Sequence, residues 1–114
     1  MKIVHKNQTQ EFKNSDNCIA TEYPMGDKDI SGAVVVVKNR YPETGRVVNE
    51  KCRELAYIIE GSGKIFVEGK EVELKKDDMI LVEAGERIYW QGDMKMFVSC
   101  NPAWYSEQHK EIEQ

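Results

Sequence analysis

Short stretches in which apolar and polar residues alternate follow one another along the chain, with turn residues between them. Alternation with a period of two is the pattern of a β-strand that buries one face. The predicted extended segments cover residues 17–24, 30–38, 46–51, 53–60, 64–75, 77–92 and 94–100. About nine short strands in a chain of this length favour an antiparallel sandwich or barrel. The fold class predicted from the sequence is therefore all-β.

The clearest hairpin covers residues 64–75, KIFVEGKEVELK. Ile65 and Val67 alternate with polar neighbours, residues 68–70 turn the chain, and the alternation resumes at Val72. Helical periodicity is absent from the chain until its polar tail. The polar tail SEQHKEIEQ is predicted to form one short helix or to fray.

Composition places the chain among ordinary globular proteins. Its 114 residues fit one domain, residues 1–114, with 40% hydrophobic and 32% charged residues. A net charge of −4 argues against nucleic acid or an anionic membrane as the main partner. The longest aliphatic run, residues 33–37, is far too short to cross a bilayer, and the first residues have no signal-peptide pattern. We expect a cytoplasmic protein.

Three cysteines, Cys18, Cys52 and Cys100, form no Cys-x-x-Cys pair. An odd number of unpaired cysteines fits reduced thiols better than a disulfide framework or a zinc knuckle. Cys52 lies two residues before Glu54 and would share its strand face. A reactive thiol needs a nearby base or positive charge. Because Lys51 and Arg53 should point the other way, buried inert thiols are the preferred interpretation of all three.

Within residues 45–104, the spacing Glu54-LAYIIE-Gly61, the hairpin and the Ala84-Gly85 turn follow one another in this order. This order resembles the cupin superfamily, whose small barrels are double-stranded β-helices of the jelly-roll type. In the first motif of that family, a glutamate is followed after six residues by glycine, which matches Glu54-LAYIIE-Gly61. The second motif aligns with DDMILVEAGERIYWQG, where Gly85 keeps a family glycine and Ile88 takes the place of a histidine. The closing NPAW, residues 101–104, also resembles the end of many small cupins. The resemblance implies a cupin-type jelly-roll barrel.

At the motif positions, the chain has none of the histidines that form the metal site of this family. The paired histidines of the first motif become Val47 and Asn49, or Val48 and Glu50, depending on the gap. The two histidines of the chain, His5 and His109, lie outside the motifs. A three-histidine site needs imidazole donors that converge on one ion, so no metal and no cofactor are predicted. An unusual oxygen and sulfur site made of Glu50, Cys52 and Glu54 is the remaining metal alternative.

Glu54 is the strongest candidate for chemistry. In the resembling family this glutamate points into the barrel, and its neighbours Ala56 and Ile58 look core-facing. Burial of a carboxylate is costly unless it is paired or protonated, and it raises the pKa towards the range of a general acid or base. The alternative is a remnant glutamate hydrogen-bonded to a tyrosine or to the backbone.

Other residues are predicted to line a ligand pocket beside Glu54. Trp90 follows Ile88 on one strand face, and its ring either stacks on a flat or sugar-like ligand or fills the volume that a metal site leaves. Asn49 and Glu50 compete for one inward position, which sequence parity does not decide. Tyr23 is a candidate for the barrel mouth. Together with Cys52 and Glu54, these residues form the predicted ligand-binding set.

Tyr57 and Ile59 put apolar side chains on the strand face opposite Ala56 and Ile58. Apolar residues on both faces indicate that the strand is covered on its outside too, so we expect a homodimer.

Three hypotheses about function follow from these patterns. The first is a metal-independent module that binds a small molecule near Glu54 and Trp90. The second is a metal-independent isomerase or lyase that acts on a sugar or organic acid, with Glu54 as general acid or base; it requires a second polar group in the pocket. The third is a structural homodimer with a packed interior and no ligand. They are ranked in this order.

Overall fold

Within residues 1–112, ten β-strands form one curled sheet, which confirms the all-β prediction. The computed structural model describes residues 1–112, and within them there is no α-helix and no helix able to span a membrane. The strands are β1 (Gln10–Ser15), β2 (Cys18–Tyr23), β3 (Ser31–Val37), β4 (Arg40–Tyr41), β5 (Arg46–Asn49), β6 (Arg53–Val67), β7 (Lys70–Lys75), β8 (Met79–Val82), β9 (Arg87–Asn101) and β10 (His109–Ile112). Single 3₁₀ turns cover Lys6–Gln8 and Ser106–Gln108.

Strand β9 organises the sheet. The main path runs β1-β2-β3-β9-β5-β10, and β9 also pairs with β4 and β6. Strand β6 pairs with β7 and β8 as well, and every one of these pairings is antiparallel. Alternate residues of β6 and β9, such as Ala56, Ile58, Ile65 and Met96, are buried and form the core. The alternating pattern of the sequence is therefore the pattern of inward and outward side chains.

Strands β6 and β9 are longer than the sequence predicted. Glycines were expected to separate short strands, but pairing continues from Arg53↔Asn101 to Val67↔Ile88. A Cβ at Gly63 would overlap the Gln91 carbonyl oxygen, and one at Gly92 would lie 2.5 Å from the Gly63 Cα. These glycines let the two backbones approach closely while the sheet bends, so they mark a bend rather than a strand end.

The predicted hairpin is confirmed. Strand β6 ends at Val67 and β7 begins at Lys70, with Glu68 and Gly69 between them. Both turn residues have positive φ, +46° and +85°. Positive φ at both positions is the signature of a type I′ turn, whose twist matches that of the flanking strands.

The prediction for the tail was wrong. Instead of a helix or a frayed end, the tail forms a short 3₁₀ turn and then β10, which pairs with β5. The turn ends at Gln108, whose side chain is 2% exposed and supplies buried hydrogen bonds to the segment before β6. Residues 113 and 114 lie outside the described residues. Strand β1 was also absent from the sequence prediction, because its segment QEFKNS is mostly exposed and shows little apolar alternation.

Candidate functional site

A cavity of about 640 Å³ lies inside the curled sheet beside Glu54. This size is in the range of pockets that bind small molecules. Its wall includes Tyr41, Asn49, Glu54, Trp90, Trp104 and His109. The packed interior required by the structural-dimer hypothesis is therefore not present.

Glu54 stands near the start of β6, between Val82 of β8 and Cys100 of β9. Its Oε2 atom lies 3.7 Å from the Cys100 Sγ and 3.5 Å from the Asn49 Nδ2, and both groups donate to it. Burial raises the pKa of this carboxyl from its ordinary value of 4.5 to about 7; the two hydrogen bonds lower it, and the charge of Glu22 raises it. Near neutral pH both the acid and the carboxylate form are populated, as a general acid or base requires.

The Asn49 amide connects three side chains of the site. Its Oδ1 lies 3.1 Å from the Trp104 indole Nε1 and 2.8 Å from the His109 Nδ1. An indole N–H can only donate, so it fixes which end of the Asn49 amide is the oxygen. His109 Nδ1 must then carry a proton, and Nδ2 of Asn49 is left to donate to Glu54.

His109 is held as a neutral imidazole whose Nε2 lone pair accepts a hydrogen bond. The Tyr41 hydroxyl lies 3.1 Å from Nε2 and donates to it, since Nδ1 carries the ring proton. Burial lowers the pKa of His109 below 6.5, although the charge of Glu111 raises it. Burial raises the pKa of Tyr41, which keeps its hydroxyl protonated. His109 is therefore able to accept a proton at neutral pH.

A buried glutamine fixes β10 to the loop before β6. The Gln108 Oε1 accepts from the backbone N–H groups of Lys51 and Cys52, at 2.9 Å each, and its Nε2 lies 3.1 Å from the Cys52 Sγ. The register His109↔Asn49 between β10 and β5 follows directly from this anchor. The position of the His109 imidazole in the cavity thus depends on contacts between residues that are far apart in the sequence.

Four of the predicted ligand-binding residues line the cavity, namely Asn49, Glu54, Ile88 and Trp90. Of the two candidates for the inward position, Asn49 faces the cavity, whereas Glu50 is exposed and lies outside the cavity wall. Cys52 is buried behind the wall against Gln108, since the segment before β6 is not extended. Tyr23 also lies outside the wall, whereas its neighbours Glu22 and Pro24 belong to it.

Sequence reasoning missed Tyr41, Trp104 and His109 as site residues. Tyr41 belongs to the two-residue strand β4, and His109 to the tail that was predicted to be helical or frayed. Trp104 was noted only as part of the closing NPAW. The polar composition of HKEI carries no alternation that would have revealed a strand.

The side chains do not fit the histidine-type metal site of the resembling family. Val47 and Ile88 are Cα partners on β5 and β9, and both present hydrocarbon to the cavity. Within residues 1–112, no three His, Cys, Asp or Glu side chains come together in a way that could hold a metal ion. Because Glu50 points away, the alternative set of Glu50, Cys52 and Glu54 is not assembled either.

Replacement of Glu54 by glutamine is expected to stabilise the protein at alkaline pH. The pKa of Glu54 is raised on folding, so between pH 4.5 and about 7 the folded state holds more protons than the unfolded state. Stability contributed by this group is present below pH 4.5 and is lost as the pH rises towards 7. At pH 8 the Glu54→Gln variant should be more stable by up to roughly 3 kcal/mol. Denaturant unfolding at pH 4.5 and pH 8 measures the difference.

The exposed Glu11 on β1 provides the matched control, since Glu11→Gln makes the same charge change at the surface. An equal effect of Glu54→Gln at both pH values would contradict this account of the Glu54 environment.

No family model and no curated protein matches the chain. Solved structures do match it. The nucleoside dehydratase Pac13 superposes with a TM-score of 0.88 at 19% identity, covering 99% of this chain and 92% of that one. Variants of Pac13 from Streptomyces were solved with uridine, one of them at a TM-score of 0.89.

Two further structures extend the comparison. Ectoine synthase from P. lautus matches with a TM-score of 0.75 at 18% identity, covering 98% of this chain and 90% of that one. The polyketide cyclase RemF from Streptomyces resistomycificus matches at 0.68 and 16% identity, covering 95% and 89%. At these identities the likeness establishes architecture alone. The curled sheet, the two bent long strands and these superpositions together show that the chain has the cupin fold.

Proposed function

We propose that the chain is a lyase that removes water from a small hydroxylated carbonyl compound, with His109 as general base and Glu54 as general acid. One observation carries the proposal: both groups line the same cavity and are connected through a single amide, Asn49. The enzyme hypothesis required a second polar group beside Glu54, and His109 with Tyr41 supplies it. We therefore rank the enzyme hypothesis above simple binding.

The protonation states suit an elimination. His109 Nε2 removes a proton from the carbon next to the substrate carbonyl, and the protonated Glu54 gives its proton to the departing hydroxyl, so that a C=C bond and one water form. The Tyr41 hydroxyl donates to Nε2 in the structure, so the substrate has to displace it from that hydrogen bond. The same pair of groups can also move a proton between two carbons, which is the isomerase form of the reaction.

The structural neighbours support a catalytic role for this cavity. Pac13 is a nucleoside dehydratase whose variants were solved with uridine, and two further neighbours are a synthase and a cyclase. The replacements in the uridine-bound variants affect a tyrosine or a histidine, the residue types that pair here as Tyr41 and His109. A hydroxylated ring compound is accordingly the first substrate class to try.

The test is proton abstraction measured in deuterated water. A panel of hydroxylated aldehydes, ketones and nucleoside aldehydes is incubated with the protein, and deuterium uptake and loss of one water are followed by NMR and mass spectrometry. We expect wild type to exchange or dehydrate at least one compound, and Glu54→Gln to lose the dehydration. Compounds that stabilise the protein without exchange would overturn the lyase and restore the binding module as the function.

A homodimer is a second proposal, carried by the outer face of the sheet. Leu55, Met79, Leu81 and Phe97 are 38–60% exposed, which is high for large apolar side chains. They are neighbours, because Leu55 pairs with Leu81 while Tyr57 stands between Met79 and Phe97. A continuous apolar face of this kind is buried in solution when two copies pack symmetrically.

Replacement of Phe97 by lysine is expected to convert the dimer to a monomer in sedimentation velocity. A lysine in the middle of the apolar face leaves an unpaired charge in the interface, which disfavours association. Phe12→Lys is the matched control, because Phe12 is 49% exposed but lies on the cavity wall. A wild-type protein that sediments as a monomer over the whole concentration range would contradict the proposal.

A further inference from the structure

The cavity wall carries an uneven distribution of charge. Two carboxylates, Glu22 of β2 and Glu54 of β6, belong to the wall. The one lysine in the wall, Lys13, has a side chain that is 64% exposed and is paired with Asp16 at 2.9 Å. The wall contains no arginine, and burial keeps His109 neutral. An anionic ligand would therefore meet the carboxylate of Glu22 with no free cation in the wall to offset its charge.

Glu22 lies on the cavity wall without a polar partner among residues 1–112. It is half-buried, and its carboxylate has no ion pair and no hydrogen bond to any of the residues 1–112. Its side chain is partly shielded from water, and this burial raises its pKa. Polar groups that are shielded from water are normally hydrogen-bonded. A carboxylate that the protein leaves without a partner on a cavity wall is available to accept hydrogen bonds from a ligand.

Flat apolar surfaces complete the wall. Phe12, Trp90 and Trp104 line the same cavity as Glu22. Aromatic rings pack well against the faces of sugar rings and heterocycles, while carboxylates accept from the hydroxyl or amino groups at their edges. The combination suits a ring compound with several donors.

We propose that this cavity selects polyhydroxylated ring compounds that are uncharged or positively charged, that it excludes carboxylates and phosphates, and that Glu22 determines this specificity. The inference rests on the proposed function, because it assigns a substrate class to the same cavity. Glu22 accepts from ligand hydroxyl groups and repels an anion at the same position. Repulsion between like charges is strong in a cavity of reduced polarity, and it is screened little by salt.

Matched pairs of probes test the proposal. Uridine is compared with uridine 5′-monophosphate, glucose with glucuronate, and glucosamine with its N-sulfated form, by thermal shift and calorimetry at one ionic strength. We expect the uncharged or cationic member to bind at least about tenfold more tightly than its anionic partner. Equal or tighter binding of the anionic members, or no preference in any pair, would overturn the proposal.

The Glu22→Gln variant assigns the effect to one residue. It keeps the shape of the side chain and removes its charge, so the discrimination against anions should fall by about tenfold. Glu11→Gln on the neighbouring strand makes the same change at an exposed position and should leave the discrimination unchanged. Unfolding midpoints of the unligated variants confirm that both are folded. A preference that persists in Glu22→Gln would remove Glu22 from the proposal.

Binding and turnover separate this inference from the proposed lyase activity. Exclusion of anions without any exchange in deuterated water would leave the inference standing and reject catalysis. Turnover of an anionic substrate would do the reverse.

Discussion

Replacement of His109 by glutamine is expected to lower the rate of proton exchange by at least about a hundredfold, the usual contribution of a positioned general base. Glutamine can still donate to the Asn49 Oδ1, but it offers no basic nitrogen where Nε2 now lies 3.1 Å from the Tyr41 hydroxyl. The exchange assay in deuterated water measures the loss. His5→Gln is the matched control, because His5 is exposed and does not line the cavity.

The pH profile distinguishes loss of a base from loss of structure. In wild type the rate should fall in acid as His109 becomes protonated, at a pH below the ordinary histidine range because burial lowers its pKa, and it should fall above about pH 7 as Glu54 loses its proton. Burial is the main cause of both pKa shifts; the hydrogen bonds from Cys100 and Asn49 and the charge of Glu22 modify the pKa of Glu54, and the charge of Glu111 modifies that of His109. His109→Gln should remove the acid limb and retain the alkaline limb. A variant with full activity, or one that keeps both limbs, would show that His109 is not the base.

The second large effect is expected at the bend of the sheet. Gly63→Ala should lower the free energy of unfolding by at least about 3 kcal/mol, because the new methyl group overlaps the Gln91 carbonyl oxygen and lies 3.0 Å from the Gly92 Cα. Both obstacles are backbone atoms, so no side chain can rotate to make room. Denaturant unfolding monitored by tryptophan fluorescence gives the value.

Gly69→Ala separates this steric cost from that of backbone conformation. Gly69 has a φ of +85°, but a Cβ there meets nothing within 4 Å. Its substitution should cost about 1 kcal/mol from the left-handed conformation alone. Similar losses at Gly63 and Gly69 would contradict the close approach of β6 and β9.

Local sequence patterns predicted those features of the fold that depend on residues close together in the chain. The alternation of apolar residues predicted the strands, the Glu-Gly turn predicted the hairpin, and the spacing from Glu54 to Ala56 and Ile58 correctly placed the glutamate on an inward face. Ile88 and Trp90 were placed inward for the same reason. A period of two reports one buried face, whatever the partner strand is.

The features that the sequence did not predict depend on contacts between residues that are distant in the chain. Asn49 and Glu50 are adjacent, and only the non-extended segment before β6 determines which of them faces inward. Strand β10 forms because the Gln108 side chain accepts hydrogen bonds from the backbone N–H groups of Lys51 and Cys52, which lie 57 and 56 positions earlier in the chain. His109 lies on that strand, so no local pattern could have indicated the proposed general base.

Strand β10 lies at one edge of the sheet, and within the part of the chain that the structure describes it pairs with β5 over four residues. Short edge elements open locally at a lower free energy than the whole domain. His109 reaches the cavity only while this edge is closed, so the fraction of molecules able to react equals the fraction with a closed edge. Heating should therefore abolish activity at a temperature below the midpoint of global unfolding. The thermal limit of the reaction would then be set by four hydrogen-bonded residues and one buried glutamine rather than by the core of the barrel.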